Sequence, residues 1–256
     1  MRDTYRTFET PYGLITLHKN ETFIINDFNN GGYWDINTLN LLKEYIDPNR
    51  NILEIGGHCG TSTLVYSSFL SNENKIHVYE PQFNMYWLLV KNINQNNLQN
   101  KIIPFNAGVF CYNGEGKMNN IDLDGGGGEV SKRYNEESHL KCNFGGIGLG
   151  DGGENIKLVT IDNMTLDNVG FIHCDAQGSE SFIFSRAIKT IKKHRPVILF
   201  ENNKEYMPFL YDNVCKNYPI WKEEAEFDIK KYCMETLNYS KCIDRFNNGD
   251  DTLLIP

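Results

Sequence analysis

Residues 51–63, NILEIGGHCGTST, decide the fold: an apolar run stops at Gly56 and Gly57, another glycine follows at Gly60, and hydroxyl side chains surround it. A short apolar run that ends at turn residues indicates a buried β-strand, and TSTLVYSSFL has the pattern of a helix. Glycine allows a ligand to approach the backbone closely. The stretch therefore predicts a buried strand, a ligand-binding turn and a helix.

Strands and helices alternate through most of the chain. The runs KIHVYE, KIIPFNAGVF, VGFIHCD, PVILFE and DDTLLIP predict further strands. The segments DINTLNLLKEYID, FNMYWLLVKNINQNN and ESFIFSRAIKTIKKH predict helices, and another helix is expected near 204–217. This alternation is typical of an α/β protein whose mostly parallel sheet is covered by helices on both faces.

Two regions interrupt the alternation. Residues 1–50 predict an N-terminal hairpin, with GLITL and TFIIN around HKNE, and then an opening helix. Residues 111–155 are rich in glycine and predict a mobile insertion or pair of loops that adds nothing to the core. This insertion is a candidate lid over an acceptor, with Arg133, Tyr134 and His139 as polar contacts. No linker divides the chain, so we expect one domain over 1–256.

Composition limits the class of partner. The net charge of −8 does not favour nucleic acid, because phosphate backbones are bound by clustered Lys and Arg, and we expect a small-molecule or glycan acceptor. The seven cysteines include no CxxC pair, which predicts reduced thiols and a cytoplasmic location. No apolar run approaches the ~20 residues of a membrane span, so we expect a soluble protein.

The expected ligand site lies at one edge of the sheet. In open α/β sheets, ligands bind outside the carboxyl ends of the strands, near the point where strand order reverses. The residues that follow the predicted strands are 56–60, Glu80 with Pro81, 106–108, 175–178, and Glu201 with Asn202.

Three ligands compete for the glycine turn. A P-loop requires GxxxxGK[ST], but Thr61 follows Gly60 and the turn has no lysine. A dinucleotide fold requires GxGxxG, which the glycine spacing here matches poorly. S-adenosylmethionine (SAM) fits better, because the turn exposes backbone groups to its amino-acid end and Glu80, twenty residues after Gly60, can accept its ribose hydroxyls. Glu54, a carboxyl group inside the apolar strand, either caps backbone N–H groups of the turn or holds a cationic ligand group.

The sequence resembles the FkbM family of SAM-dependent methyltransferases over most of its length. NILEIGGHCGTST is similar to the family motif DvGANiGxxT, with Glu54 for Asp and His58 for Asn. VYEPQ, FNAGV, LVTIDNM, FIHCDAQGSE and RPVILFE resemble the motifs vEPn, NaAl, ltlDdl, lKiDvEGxE and rPvilxE, in order. Two departures are His173, where the family has Lys, and Gln177, where it has Glu. The insertion around 124–153 lies outside the resemblance.

The resemblance implies a Rossmann-like class I methyltransferase fold with a seven-stranded sheet, SAM as methyl donor, and O-methylation of a hydroxyl. Family acceptors include sugars in glycans and hydroxyls of small metabolites. The expected cofactor-binding residues are Glu54, Gly56, Gly57, His58, Gly60, Thr63, Glu80, Pro81, Asn106, Ala107 and Asp175.

Two arrangements could assist deprotonation of the acceptor hydroxyl. In the first, Asp175, Glu201 and Asn202 form an oxygen-ligand set for a divalent cation such as Mg²⁺ or Mn²⁺. In the second, a histidine is the base, with His173, His139 and His58 as candidates. The expected catalytic residues are Asp175, His173 and Glu201.

The preferred function is SAM-dependent O-methylation of a sugar or glycan hydroxyl. The alternatives are O-methylation of RNA ribose or of a small metabolite, and a degenerate SAM-binding module that interacts with partners through its insertion. Net acidity counts against RNA, and the intact turn with Glu80 counts against the degenerate module.

Overall fold

The computed structural model describes residues 4–125, 128–134 and 140–256. The strands of this part of the chain are β1 (Tyr5–Thr10), β2 (Gly13–His18), β3 (Asn51–Ile55), β4 (Ile76–Tyr79), β5 (Ile102–Phe105), β6 (Gly108–Val109), β7 (Gly114–Asn119), β8 (Gly152–Val159), β9 (Val169–Cys174), β10 (Val197–Glu201), β11 (Lys241–Ile243) and β12 (Asp251–Ile255).

The helices of the described residues are α1 (Ile24–Asn29), α2 (Ile36–Leu42), α3 (Thr61–Phe69), α4 (Phe83–Gln95), α5 (Val130–Arg133), α6 (Glu180–Ser185), α7 (Ile188–His194), α8 (Asn203–Tyr206), α9 (Pro208–Asn217), α10 (Lys222–Ala225) and α11 (Ile229–Lys231). Short 3₁₀ turns cover Lys43–Tyr45, Ile161–Asn163 and Phe246–Asn248, and a π-helical turn covers Tyr232–Thr236. Over the ranges described, no helix is both long and apolar enough to cross a membrane.

The central sheet has seven strands in the order β5-β4-β3-β9-β10-β12-β11. The five strands from β5 to β10 are parallel, β12 is antiparallel to β10, and β11 is antiparallel to β12. The chain runs outward from β3 to β5 and then returns to the other side of β3 with β9. The strand order therefore reverses between β3 and β9, so their carboxyl ends are the expected ligand edge.

Successive residues of the central strands pack into two core layers, as the two-residue period of a strand requires. Ile52 and Leu199 belong to one layer, which α3 and α4 cover, whereas Leu53 and Ile198 belong to the other, which α6 and α7 cover. Burial on both faces explains why these strands are apolar without alternation. The predicted α/β fold with helices on both faces is confirmed.

The N-terminal hairpin exists, but its predicted second strand is wrong. GLITL forms β2, which pairs with β1 over Tyr5–Thr10, and TFIIN instead contributes to helix α1. Ile24, Ile25 and Phe28 are buried, and this spacing suits one face of a helix rather than a strand.

The glycine-rich region 111–155 was expected to add nothing to the core, and that expectation is wrong. Strand β7 pairs with β8, and β8 also pairs with β6, which gives a second sheet of three strands. Met118, Phe144, Ile147 and Leu149 of this region are buried. The glycines separate these apolar residues along the sequence, which hides the core pattern.

The single helix predicted for ESFIFSRAIKTIKKH is two helices, α6 and α7. Asp162 caps the second one, because its carboxylate accepts hydrogen bonds from the backbone N–H groups of Lys189 and Thr190 and from the Thr190 hydroxyl. An acidic cap from a distant segment satisfies the N–H groups of a new helix start.

Candidate active site

The carboxyl ends of β3 and β9 approach each other closely at the switch point. Gly56, after β3, has φ +85°, and a Cβ atom built there would lie 1.8 Å from the backbone oxygen of Asp175, after β9. Only glycine fits both the left-handed backbone and this contact. The backbone N–H of Asp175 donates to the oxygen of Ile55 at 3.0 Å, which fixes the two strand ends together.

A first cavity, here called the Glu80 cavity, lies on one side of this contact. It encloses about 590 Å³, part of it open to solvent. Its lining is mostly apolar and includes a few polar side chains. The lining residues are Ile55, Gly56, His58, Tyr79, Glu80, Pro81, Gln82, Gly108, Val109, Met118, Gly145, Ile147, Gly148, Leu149, Asp175, Ala176, Gln177 and Ser179.

Glu80 is held rigidly at the end of β4. Its side chain is 3% exposed, and its two carboxylate oxygens accept the backbone N–H groups of His58 and Gln82, each at 2.8 Å. Burial raises the pKa of Glu80 to about 8. Each carboxylate oxygen can accept a second hydrogen bond, so Glu80 can bind a pair of hydroxyl groups from a ligand.

A second cavity, here called the acidic cavity, lies on the other side and encloses about 1330 Å³, part of it open to solvent. It is lined by Phe23, Ile24, Trp34, Asp35, Leu39, Gly56, His58, Thr61, Ser62, Asp124, Asn143, Gly145, His173, Asp175, Gln177, Glu201, Asp250 and Asp251. Five residues line both cavities: Gly56, His58, Gly145, Asp175 and Gln177. A ligand in one cavity can therefore meet a ligand in the other beside Asp175.

Asp175, Gln177 and Glu201 form a connected group at this boundary. The Gln177 Nε2 atom donates to Asp175 Oδ1 and to Glu201 Oε2, each at 3.0 Å, and Asn203 Nδ2 donates to the same Glu201 oxygen at 2.7 Å. Burial, followed by the charges of Asp175 and Glu180, raises the pKa of Glu201 well above its usual range. This shift favours the neutral form of Glu201, and of the two groups Asp175 is the one that lines both cavities.

Two of the three histidines considered as bases lie in the described residues, and His139 lies outside them. His173 is within 3.1 Å of the Tyr66 hydroxyl through Nδ1, and burial lowers its pKa. His58 lines both cavities, its ring nitrogens have no hydrogen-bond partner among the described residues, and burial lowers its pKa to about 4. Glu21 Oε2 lies 3.8 Å from its Nε2.

Several predicted cofactor contacts instead support the turn. Glu54 is fully buried and accepts hydrogen bonds from the Ser62 and Thr63 hydroxyls, rather than from backbone N–H groups of the turn. Asn106 donates to the backbone oxygens of Glu80 and Pro81. Of the predicted set, the lining of the two cavities contains Gly56, His58, Glu80, Pro81 and Asp175, and not Glu54, Gly57, Gly60, Thr63, Asn106 or Ala107.

The predicted metal ligands are only partly brought together. Asp175 and Glu201 share Gln177, but the Asn202 amide donates to Glu205 at 2.9 Å and to Thr252 at 3.3 Å. Across the ranges that the structure covers, no group of three His, Cys, Asp or Glu side chains is arranged to hold a metal ion. The metal site stays a prediction.

The glycine-rich region forms a wall of both cavities. Gln82 Nε2 donates to the Phe144 oxygen at 2.7 Å, and Phe144 stacks on Tyr134 with a centroid distance of 4.7 Å. Tyr134 in turn donates to Gln82 Oε1 at 3.1 Å. Tyr134 therefore supports the wall from behind, since neither it nor Arg133 lines the two cavities.

Sequence reasoning missed the acidic residues at the far side of the acidic cavity. Asp250 and Asp251 stand at the start of β12, and an antiparallel strand begins at the edge where its parallel neighbours end. The sequence signal was available in DDTLLIP, which begins with two acids. Asp35 and Asp124 had no comparable signal, because neither lies at a strand end.

Comparisons with known proteins give only remote similarities. No family model matches the chain, and no curated protein matches it. A methyltransferase FkbM from Methylobacillus flagellatus is similar at 14% identity and a TM-score of 0.44, over 68% of this chain and 39% of its own. An O-methyltransferase from Bacillus cereus, solved with SAH (S-adenosylhomocysteine), is similar at 16% identity and a TM-score of 0.44, over 86% of this chain and 79% of its own.

A SAH-bound methyltransferase from Podospora anserina is similar at 13% identity and a TM-score of 0.43, over 85% of this chain and 75% of its own. The chain thus spans well under half of the FkbM protein. These likenesses are too remote to bear on activity.

The fold class follows from the sheet itself. Counted along the chain, the central strands have the order 3-2-1-4-5-7-6, with the last strand antiparallel and inserted beside the fifth. The dinucleotide-binding order 3-2-1-4-5-6 lacks this inserted strand. The chain has the Rossmann-like class I methyltransferase fold.

Proposed function

We propose that this chain transfers a methyl group from SAM to a hydroxyl of a sugar or glycan. The observation that carries the proposal is the pair of cavities that meet at Gly56, His58 and Asp175, at the switch point of the sheet. One cavity offers a buried acid for a nucleoside, and the other offers polar groups for an acceptor.

The residues of the Glu80 cavity fit SAM. Glu80 is placed to accept ribose hydroxyls, and apolar residues such as Val109, Ile147 and Leu149 can pack on an adenine ring. Ser179 is 1% exposed and its hydroxyl has no hydrogen-bond partner within the described ranges, so this wall offers a buried polar group to a ligand. Asp175, at the boundary, can stabilise a cationic sulfur.

When bound, SAM supplies a methyl group on a cationic sulfur, ready for in-line displacement. The chain contributes mainly position, since the two ligands must meet with the acceptor oxygen opposite the departing sulfur. Asp175 accepts the proton of the hydroxyl as the new O–C bond forms and the C–S bond breaks. Gln177 holds the Asp175 carboxylate in place through its amide N–H.

A calorimetric titration with SAM and SAH tests the cofactor, using Glu80→Gln and the matched control Glu73→Gln, whose side chain is exposed. We expect Glu80→Gln to weaken SAH binding by about tenfold or more, because an amide NH₂ replaces one of the two acceptor oxygens placed for the ribose hydroxyls, and Glu73→Gln to bind normally. No binding of either compound at high micromolar concentration would contradict the proposal.

Methyl transfer from labelled SAM to monosaccharides, glycans and capped RNA tests the acceptor. Asp175→Asn is expected to lower kcat by about 100-fold, as for loss of a general base, and Asp212→Asn, at an exposed position, should not change it. Transfer to RNA but to no saccharide would contradict the choice of acceptor.

A divalent cation on Asp175, Glu201 and Asn202 is a second way to assist the hydroxyl. It would use the Asn202 Oδ1 atom, while Nδ2 of the same amide donates to Glu205 and Thr252. Chelation with EDTA during the transfer assay tests it, and an unchanged rate would remove the metal from the mechanism.

A further inference from the structure

The acidic cavity contains more carboxyl groups than methyl transfer to a neutral hydroxyl requires. Asp35, Asp124, Asp250 and Asp251 line it in addition to Asp175 and Glu201, and its described lining includes no Lys or Arg. They come from three separate parts of the chain: the start of α2, the glycine-rich region and the start of β12.

Among the residues that the structure describes, most of these carboxyl groups have no cationic partner at close range. Asp250 pairs with Arg245 at 3.0 Å, at the exposed rim. Asp35 accepts the Thr38 hydroxyl, and Asp124 accepts the Asn143 amide at 3.4 Å, and both of these partners are neutral. Burial followed by the nearby charges of Asp175 and Asp35 raises the pKa of Asp251 to about 7. Burial also raises the pKa of Asp35 and of Asp124, and in both cases Asp175 adds to the effect. A bound cation would relieve this repulsion.

A buried amide oxygen of Gln177, which lines this cavity as well as the Glu80 cavity, points independently to a ligand with hydrogen-bond donors. Gln177 is 7% exposed, and its Nε2 is fixed because both of its partners are carboxyl oxygens. The opposite atom, Oε1, is buried and has no hydrogen-bond partner in the described part of the chain. A buried acceptor of this kind costs free energy unless a donor reaches it. Apart from the His58 ring, the groups that this cavity offers to a ligand are thus mainly hydrogen-bond acceptors, and most of them are carboxyl groups.

We propose that the methyl acceptor carries a protonated amine, which Asp35, Asp124 and Asp251 bind while an acceptor hydroxyl lies beside Asp175. This inference rests on the proposed function and narrows its substrate to an aminated saccharide. An ammonium group has three N–H donors and a positive charge, so it satisfies the carboxylates. A second hydrogen-bond donor on the same ligand, next to the ammonium group, would reach Gln177 Oε1. A neutral hydroxyl satisfies hydrogen bonds but leaves the charges uncompensated.

The test compares glucosamine with N-acetylglucosamine, which keeps the ring and removes the charge. Calorimetry measures the binding of each to the full chain, with and without saturating SAH. The double variant Asp35→Asn/Asp124→Asn preserves side-chain size, and Asn tolerates the left-handed backbone at position 35, where φ is 50°. Asp212→Asn is the matched control, since it removes one exposed charge outside the cavity.

We expect glucosamine to bind with SAH present, N-acetylglucosamine to bind at least about tenfold more weakly, and the double variant to lose at least about tenfold in glucosamine affinity. Asp212→Asn should bind like the unchanged protein. Absence of glucosamine binding, equal binding of the two sugars, or an unaffected double variant each overturns the proposal.

Two further outcomes identify the other cations that could occupy the cavity. If SAH displaces glucosamine, the carboxylates serve the amino group of the cofactor, and the proposal is wrong. If Mg²⁺ or Mn²⁺ displaces it at equal concentration, the cavity is a metal site, and the proposal is again wrong. Failure of SAM and SAH to bind, with glucosamine still bound, overturns the methyltransferase function and leaves the amine site standing.

Discussion

Replacing Gly56 by alanine tests the closest contact of the site. The new Cβ would lie 1.8 Å from the Asp175 oxygen and 3.0 Å from its carbonyl carbon, on a backbone with φ +85°. Ordinary contact begins near 3.4 Å, so the ends of β3 and β9 must separate by more than 1 Å. Gly31→Ala is a matched control, because Gly31 has φ +79° and nothing within 4 Å of its Cβ position.

Comparing the two variants separates the loss of unfolding free energy caused by the left-handed backbone from the loss caused by the close contact. An alanine in the left-handed region costs about 1–2 kcal/mol of unfolding free energy, and both variants lose this amount. Overpacking against a rigid backbone costs about 1–3 kcal/mol more, and Gly56→Ala alone loses it. With an m-value near 3 kcal/mol/M, this difference lowers the urea midpoint by up to about 1 M.

Urea unfolding followed by circular dichroism measures the midpoints, and calorimetry measures SAH binding. We expect Gly56→Ala to lose both stability and at least about tenfold in SAH affinity, because Gly56 lines both cavities, and Gly31→Ala to keep its affinity. Equal midpoints and equal SAH affinities in the two variants would refute the argument from the β3–β9 contact.

Three other predictions concern stability and the supports of the site. The pKa values of Glu54, Glu80 and Asp251 are raised to about 7, 8 and 7, so each group binds its proton more tightly in the folded state. The stability that these groups contribute is fully present below their unfolded pKa values near 4 and is lost as the pH rises through their folded pKa values. The Tm of the ligand-free protein should therefore decrease as the pH is raised from about 5.5 to about 8.5, and a constant or increasing Tm would contradict this. Asn92→Ala should lower the free energy of unfolding by about 2–4 kcal/mol relative to the exposed control Asn72→Ala, because buried Asn92 bonds to the backbone of Thr16 and Cys59. Urea unfolding measures both variants, and free energies of unfolding that agree within about 0.5 kcal/mol, the usual size of a surface effect, would disprove it. Tyr66→Phe should shift the His173 titration seen by NMR, since it removes the hydroxyl 3.1 Å from Nδ1, and an unchanged titration would show that this contact does not form in solution.

The central sheet could be predicted because its strands are buried on both faces and therefore read as uninterrupted apolar runs. NILEI and PVILFE are strands as expected, and their terminal residues lie at the predicted edge. The same reasoning gave Gly56, Glu80 and Asp175, because the residue after a parallel strand has a known position in the sheet.

The misses arise where local pattern and tertiary contact disagree. TFIIN is rich in β-branched and aromatic residues, yet Ile24, Ile25 and Phe28 are buried as one face of a helix. The hydrogen bonds of Glu54 could not be predicted from the sequence, because the Ser62 and Thr63 hydroxyls reach its carboxylate only when α3 packs back over β3. The hydrogen bonds that the Asn202 amide donates to Glu205 and Thr252 could likewise not be predicted from its place after a strand.

The position of Gly145 has a consequence for how this chain could change its substrate. The segment around Gly145 is held by the hydrogen bond from Gln82 to the Phe144 oxygen, and it faces both cavities. The central sheet supplies the glycine turn and Asp175. Substitutions within 143–145 could therefore reshape acceptor choice without disturbing the strands that hold the reacting groups. Selection can then act on specificity and on chemistry through separate stretches of the gene.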